Sequence, residues 1–249
     1  MHPKRVWILG LFLLLASVPV WGAPRIERAT VTYTEQVQGY LAKPAGAGPF
    51  PAVVVIHEWW GLNKQIKGMA DELAREGYVA LAVDLYRGRV TADPSEAHEL
   101  MRGLPMDRAV RDLKAAVAYL RTRADIRGDR IGSIGWCMGG GYSLALAINQ
   151  ADLTACVIYY GRLATDTNRL ARIHAPVLGI FGEQDRGIRP SAVRAFDRSM
   201  KALGKEVEVH MYANAGHAFA NPTRPSYRKV AAQDSWKRTL AFFGKFLQP

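Results

Sequence analysis

From Ala52 onward the chain alternates between short apolar runs and longer amphipathic ones, and few folds accommodate that rhythm. Val53–Ile56, Tyr78–Val83, Arg130–Ile134, Thr154–Tyr160, Val177–Phe181 and Glu206–Met211 read as strands. Asn63–Glu76, Pro94–Arg102, Met106–Arg123, Met138–Asn149, Pro190–Leu203 and a closing stretch from Tyr227 to Phe246 read as helices. Strands such as Val53–Ile56 are apolar throughout rather than alternating, so both of their faces are buried. That is the property of a mostly parallel sheet covered by helices on both sides, an α/β fold. Two earlier segments, Ile26–Tyr33 and Val37–Ala42, read as antiparallel strands joined by a short turn. No linker interrupts the alternation and no repeat is present, so residues 23–249 are expected to form one domain.

The first 22 residues stand apart. Lys4 and Arg5 precede an apolar run from Val6 to Val20, followed by Trp21-Gly22-Ala23. A charged start, an apolar centre and small residues at the end make the pattern of a secretory signal peptide. At about 15 residues the run is short for a spanning helix. Cleavage after Gly22 places Val20 at the −3 position, and the mature chain is expected in the periplasm or secreted, with no stable membrane insertion. An uncleaved N-terminal anchor is the alternative.

The net charge is +11, from 33 basic and 22 acidic residues. The basic residues are scattered, with short clusters at Arg121-Thr122-Arg123 and Arg127–Arg130, and no aromatic stacking motif accompanies them. Nucleic acid is therefore not an expected partner. There are two cysteines. Cys156 falls in the apolar run Thr154–Tyr160 and reads as core, which leaves Cys137 unpaired in the turn Gly135-Trp136-Cys137-Met138-Gly139-Gly140.

In parallel sheets, ligands collect at the carboxyl ends of the strands. Five loops follow such ends: His57–Gly61, Asp84–Arg89, Gly135–Gly140, Gly182–Asp185 and Ala215–Phe219. Three of them hold a nucleophile, an acid and a histidine in the order Cys137, Asp185, His217. That is the order of an α/β-hydrolase, in which G-x-S-x-G carries the nucleophile on a tight strand-to-helix turn; here cysteine replaces the serine. A thiol needs a base to become nucleophilic, and His217 can accept its proton while Asp185 orients the imidazole. The backbone N–H groups of Met138 and Trp59 are the expected oxyanion hole. The segment His57-Glu58-Trp59-Trp60-Gly61 begins like a zinc-binding H-E-x-x-H, but Gly61 stands where the second histidine is required, so no metal is expected. No cofactor is expected either.

Together, Glu58, Asp84-Leu85-Tyr86, Gly135-x-Cys137-x-Gly139-Gly140, Gly182-x-x-Asp185 and Gly216-His217-x-Phe219 resemble the dienelactone hydrolase (carboxymethylenebutenolidase) family. The resemblance spans roughly residues 26–247. It implies an α/β-hydrolase fold and a Cys-His-Asp triad that hydrolyses small esters or lactones through an acyl-thioester. It also implies that Glu58 contacts the resting cysteine and moves as substrate binds, assisting thiolate formation. In that family an arginine shortly after Asp-Leu-Tyr and another four residues after the histidine hold a substrate carboxylate. Here Arg87 and Arg89 lie near the first position, while Asn221 occupies the second and Arg224 is the nearest arginine. Trp60, Tyr86, Arg87, Arg89 and Phe219 are the residues expected around the substrate. A monomer acting on a small molecule is the expectation; a redox-active or non-catalytic binding protein that retains the fold is the alternative.

Overall fold

The computed structural model describes residues 24–248; the apolar leader lies outside them. The strands are β1 (Ile26–Thr34), β2 (Val37–Pro44), β3 (Phe50–Ile56), β4 (Val79–Val83), β5 (Ile126–Trp136), β6 (Ala155–Tyr159), β7 (Val177–Gly182) and β8 (Val207–Tyr212). They form one sheet in the order β1-β2-β4-β3-β5-β6-β7-β8. β2 runs antiparallel to both β1 and β4, and every pairing from β4 to β8 is parallel.

The helices are α1 (Lys64–Arg75), α2 (Pro94–Arg102), α3 (Met106–Thr122), α4 (Met138–Asn149), α5 (Thr167–Leu170), α6 (Pro190–Ala202) and α7 (Lys229–Leu247). Their starts follow from local chemistry. The Asn63 side chain accepts the Ile66 N–H at 3.1 Å to cap α1, and Asp93 caps α2 just ahead of Pro94. The strands send alternate residues to opposite faces. Val54, Ile56, Leu81 and Val83 join Leu113, Leu144 and Phe196 in one core layer, beneath α3, α4 and α6. Val53, Val55, Ala80 and Ala82 join Ile66, Leu73, Phe242 and Phe243 in the other, beneath α1 and α7. Each layer buries enough apolar surface to hold its helices, which explains why the central strands carry no polar face.

Two elements differ from the sequence reading. β5 starts at Ile126 rather than Arg130, through a polar, partly exposed stretch that pairs Ile126 with Phe50. The single turn α5 is too short to leave a periodic signal; Asp166 caps it by accepting the Asn168 N–H. The register matters most for function. Ile56 lies beside Val83 and Gly135, Trp136 beside Tyr159, and Gly182 beside Tyr212, so the loops that follow these strands emerge along one edge of the sheet.

Candidate active site

Cys137 sits where β5 turns into α4, with φ 55° and ψ −118°. A side chain in the positive-φ region strains the backbone, and such strain persists only where the surroundings enforce it. Here the Cys137 N–H donates to the Tyr159 carbonyl at 3.0 Å, and the Cys137 carbonyl accepts from Gly140. The turn is also closely packed. A Cβ on Gly135 would stand 2.1 Å from the Gly139 oxygen, and one on Gly139 would stand 2.3 Å from the Ile56 oxygen, so neither position admits a side chain. The result presents a partly exposed thiol at the N-terminus of a buried helix. Cys137 is not in a disulfide, and neither is Cys156.

Asp185 follows β7 and is almost entirely buried. Its Oδ1 accepts the Gly187 and Ile188 N–H groups at 2.8 and 2.9 Å, and its Oδ2 meets His217 Nδ1 at 2.7 Å. Burial disfavours its charge, but the His217 bond and the two amides prevail and hold its pKa below the ordinary value. Burial likewise disfavours a charge on His217. The bond to Asp185 and the approach of the Cys137 thiol outweigh it, and the imidazole is pushed up to about 10. His217 thus stands between a fixed carboxylate and the thiol, in an environment that favours imidazolium.

Glu58 follows β3 and is 2% exposed. The resemblance implies a contact with Cys137, but its Oε2 instead accepts Asn221 Nδ2 at 2.7 Å, and its Oε1 has no hydrogen-bond partner. Burial raises its pKa, opposed by Asn221, His217 and Arg224. Asn221 is itself fixed, because its Oδ1 accepts both the N–H and the hydroxyl of Thr223. The residue at the family's second arginine position therefore holds the glutamate.

His57 anchors the same loop. It is fully buried; its Nδ1 lies 2.6 Å from the Glu58 carbonyl, and the Leu85 N–H donates to its Nε2 at 3.2 Å. One nitrogen must donate and the other accept, so the ring is a neutral Nδ1–H tautomer. Burial, which lowers its pKa, keeps it so. His57 thereby links the loop after β3 to the loop after β4. Neither the Trp59 nor the Met138 N–H has a backbone acceptor among the described residues.

Glu58, Trp59, Trp60, Cys137, His217 and Arg224 share a cavity of about 530 Å³. The Arg224 guanidinium lies 3.7 Å from the centre of the Trp60 ring, and its buried Nε has no hydrogen-bond partner. Tyr86 reaches the elbow, its hydroxyl 3.1 Å from Met138 Sδ. Three residues expected around the substrate go elsewhere. Arg87 pairs with Asp112 at 2.8 Å on α3, where a buried carboxylate draws it away from the thiol. Arg89 pairs with Glu96 at the surface of α2. Phe219 is fully buried between Tyr160 and Tyr212, serving the core beneath His217. The anchoring role of His57 and the Asn221–Glu58 bond escaped the sequence reading. Among the described residues no cluster of His, Cys, Asp and Glu could hold a metal ion, and no helix is long and apolar enough to cross a membrane.

The sequence model of the dienelactone hydrolase family matches residues 37–247. The chain belongs to that family. It is 34% identical over 224 residues to a protein of Methylorubrum extorquens provisionally named carboxymethylenebutenolidase, covering 84% of this chain and 77% of that one. A Bradyrhizobium protein provisionally named 2-oxo-3-(5-oxofuran-2-ylidene)propanoate lactonase is 35% identical over 224 residues, 85% of this chain and 90% of that one. Among solved structures, a provisionally assigned dienelactone hydrolase of Klebsiella pneumoniae superposes with a TM-score of 0.83 at 28% identity, covering 89% of this chain and all of that one. As a dienelactone hydrolase family member with an α/β-hydrolase fold, the protein is a hydrolase of the ester and lactone type acting on a small molecule.

Proposed function

We propose that this dienelactone hydrolase family member cleaves its ester or lactone through covalent catalysis at Cys137. The observation that carries the reading is His217, bonded through Nδ1 to Asp185 at 2.7 Å and approached by the Cys137 thiol, which is held on a strained elbow. His217, favoured as imidazolium, holds the proton it has taken from the thiol as Sγ attacks the carbonyl carbon. The Trp59 and Met138 N–H groups receive the oxyanion. The carbon–oxygen bond to the alcohol then breaks, His217 returns the proton to the departing oxygen, and an acyl-thioester remains. Water, deprotonated by His217, cleaves the thioester and restores the thiol. Asp185 holds the imidazole in the tautomer these steps need. Glu58 lines the same cavity, and its carboxyl assists thiolate formation once it leaves the Asn221 amide. Trp60 bounds the substrate cavity. The mature chain, starting near Ala23, works as an exported monomer. Redox chemistry is the weaker reading, because the other cysteine is buried in β6 and cannot reach the first as a resolving thiol.

The test is stopped-flow hydrolysis of an activated aryl ester by the mature chain. Wild type is expected to release a burst near one equivalent of the phenol, and Cys137→Ala to show neither burst nor turnover, a loss of at least about 10³-fold. Equal turnover by the variant would sink the reading.

A further inference from the structure

Tyr160 follows β6 directly and combines three unfavourable features at one position. Its φ is 37°, in the left-handed region where a bulky aromatic residue is strained. It is fully buried, and its hydroxyl has no hydrogen-bond partner. The neighbouring Tyr159 shows the usual arrangement: it is as deeply enclosed, but its hydroxyl meets Thr239 Oγ1 at 2.8 Å. Phenylalanine at position 160 would fill the same space without an orphaned polar atom. Keeping the hydroxyl there lowers stability, which points to a use for it. The residue itself is firmly placed. Its N–H donates to the Ile180 carbonyl at 2.8 Å, and its ring lies 5.2 Å from the His217 imidazole, centre to centre, and 5.6 Å from Phe219. Burial pushes the phenol well above its usual range, and negative charge on Glu58 and on Cys137 adds to the effect, so the hydroxyl stands beside both. A group that resists ionisation so strongly keeps its proton and can donate it in a hydrogen bond. Close to it is an acceptor in the same condition: Glu58 Oε1 is buried and unpartnered, while Glu58 Oε2 is taken by Asn221. An orphaned donor and an orphaned acceptor are thus neighbours next to the thiol, unbonded while Asn221 holds the carboxyl.

We propose that Tyr160 is the positioning residue for Glu58, receiving its carboxyl when the Asn221 amide lets go. Oε1 then accepts the Tyr160 O–H, and Oε2, freed from Asn221, is left for the Cys137 side. No proton changes hands between the two residues; the hydroxyl fixes where the carboxyl comes to rest. A hydrogen bond to the charged form also compensates a buried carboxylate for the donor it has lost. Because the pinned backbone and the packing against His217 set the phenol in advance, the donor is in place before the carboxyl arrives. The inference rests on the cysteine mechanism above, in which Glu58 assists thiolate formation.

The experiment measures the acylation burst with the activated aryl ester in wild type, Tyr160→Phe, Glu58→Gln and the double variant. Tyr160→Phe should slow the burst by about tenfold, the scale of one hydrogen bond to a charged group, with the ester concentration at half-saturation unchanged. In the Glu58→Gln background, where the carboxylate is already gone, the same substitution should change the burst rate by less than about twofold. Tyr160→Phe should also melt no lower than wild type, because its hydroxyl gives up no bond. A burst that Tyr160→Phe or Glu58→Gln leaves unchanged overturns the inference, as does an equal slowing by Tyr160→Phe in both backgrounds. So does a Tyr160→Phe protein that unfolds or melts well below wild type, since the hydroxyl would then be a structural group. In each of these cases a wild-type burst that Cys137→Ala abolishes leaves the mechanism standing. No burst in wild type would instead remove the mechanism, and this inference with it.

Discussion

The two cysteines occupy neighbouring strands and have opposite surroundings. Cys137 ends β5 on a positive-φ turn, partly exposed, facing His217. Cys156 sits inside β6 with no exposure, paired in register with Ser133. Its Sγ lies 3.4 Å from the Ser143 hydroxyl, which in turn meets the Ser133 hydroxyl at 2.8 Å. Burial pushes its thiol up to about 11, despite those hydroxyls. Identical chemistry therefore yields an inert core atom inside one strand and a candidate nucleophile just past the end of its neighbour. Location along the strand makes the difference. The body of a strand is closed by the layers above and below, whereas its carboxyl end opens onto loops that can bring in distant charges.

Backbone strain follows the same division. Among the described residues, the non-glycine positions with positive φ are Arg87, Cys137, Tyr160 and Ala218, and they follow β4, β5, β6 and β8. All stand on the edge of the sheet that carries the site. Strain of this kind costs about 1–3 kcal/mol per residue and has to be offset by packing elsewhere, here by the two core layers.

The contrast breaks most visibly if the partners of Cys137 are removed. Asp185→Asn leaves the shape of the site but deprives His217 of the acceptor that orients it. Aryl-ester turnover is expected to fall by about 10³-fold or more, with the melting temperature changed far less. A loss of only a few fold would mean that Asp185 is a structural cap, a role its bonds to Gly187 and Ile188 could fill alone.

Alkylation sharpens the comparison directly. In the native protein, iodoacetamide followed by peptide mapping should modify Cys137 about 10²-fold faster than Cys156, and Cys156 only after unfolding. Cys156→Ala should retain turnover while losing about 1 kcal/mol of stability from the missing core atom. Comparable labelling of the two thiols would erase the distinction drawn between a position inside a strand and one just past its carboxyl end.

The smallest effect lies in pH. The folded state raises the His217 pKa, so it favours the protonated ring. Its contribution to stability is complete below the unfolded value near 6.5 and is lost as pH rises through about 10. Wild type should therefore melt above His217→Gln at pH 6, and the gap should close by pH 10 to 11, beyond any drift common to both proteins. Asp185 works in the other direction: its contribution is complete above the ordinary value of 3.8 and is lost as pH falls through its lower folded value. A gap that stays level from pH 6 to pH 11 would show that the Asp185–His217 pair does not hold the ring as imidazolium.

What the sequence determined by itself is the local part of this design. Unbroken apolar runs separated by amphipathic ones specify a covered parallel sheet, because each strand's burial is written in its own residues. The glycines around Cys137 specify the elbow, since a side chain at Gly135 or Gly139 would collide with backbone. Chain order then brings Cys137, Asp185 and His217 to one edge. The polar start of β5 and the single turn of α5 left no such mark. Tertiary structure alone decided how the site residues are partnered. Arg87 looked available to a substrate in sequence, but α3 delivers Asp112 to it. Asn221 lies far along the chain from Glu58, yet the two are bonded at 2.7 Å. Arg224 finds the face of Trp60, and His57 ties one loop to the next. Such choices depend on distance and burial between remote segments, and a one-dimensional pattern carries neither.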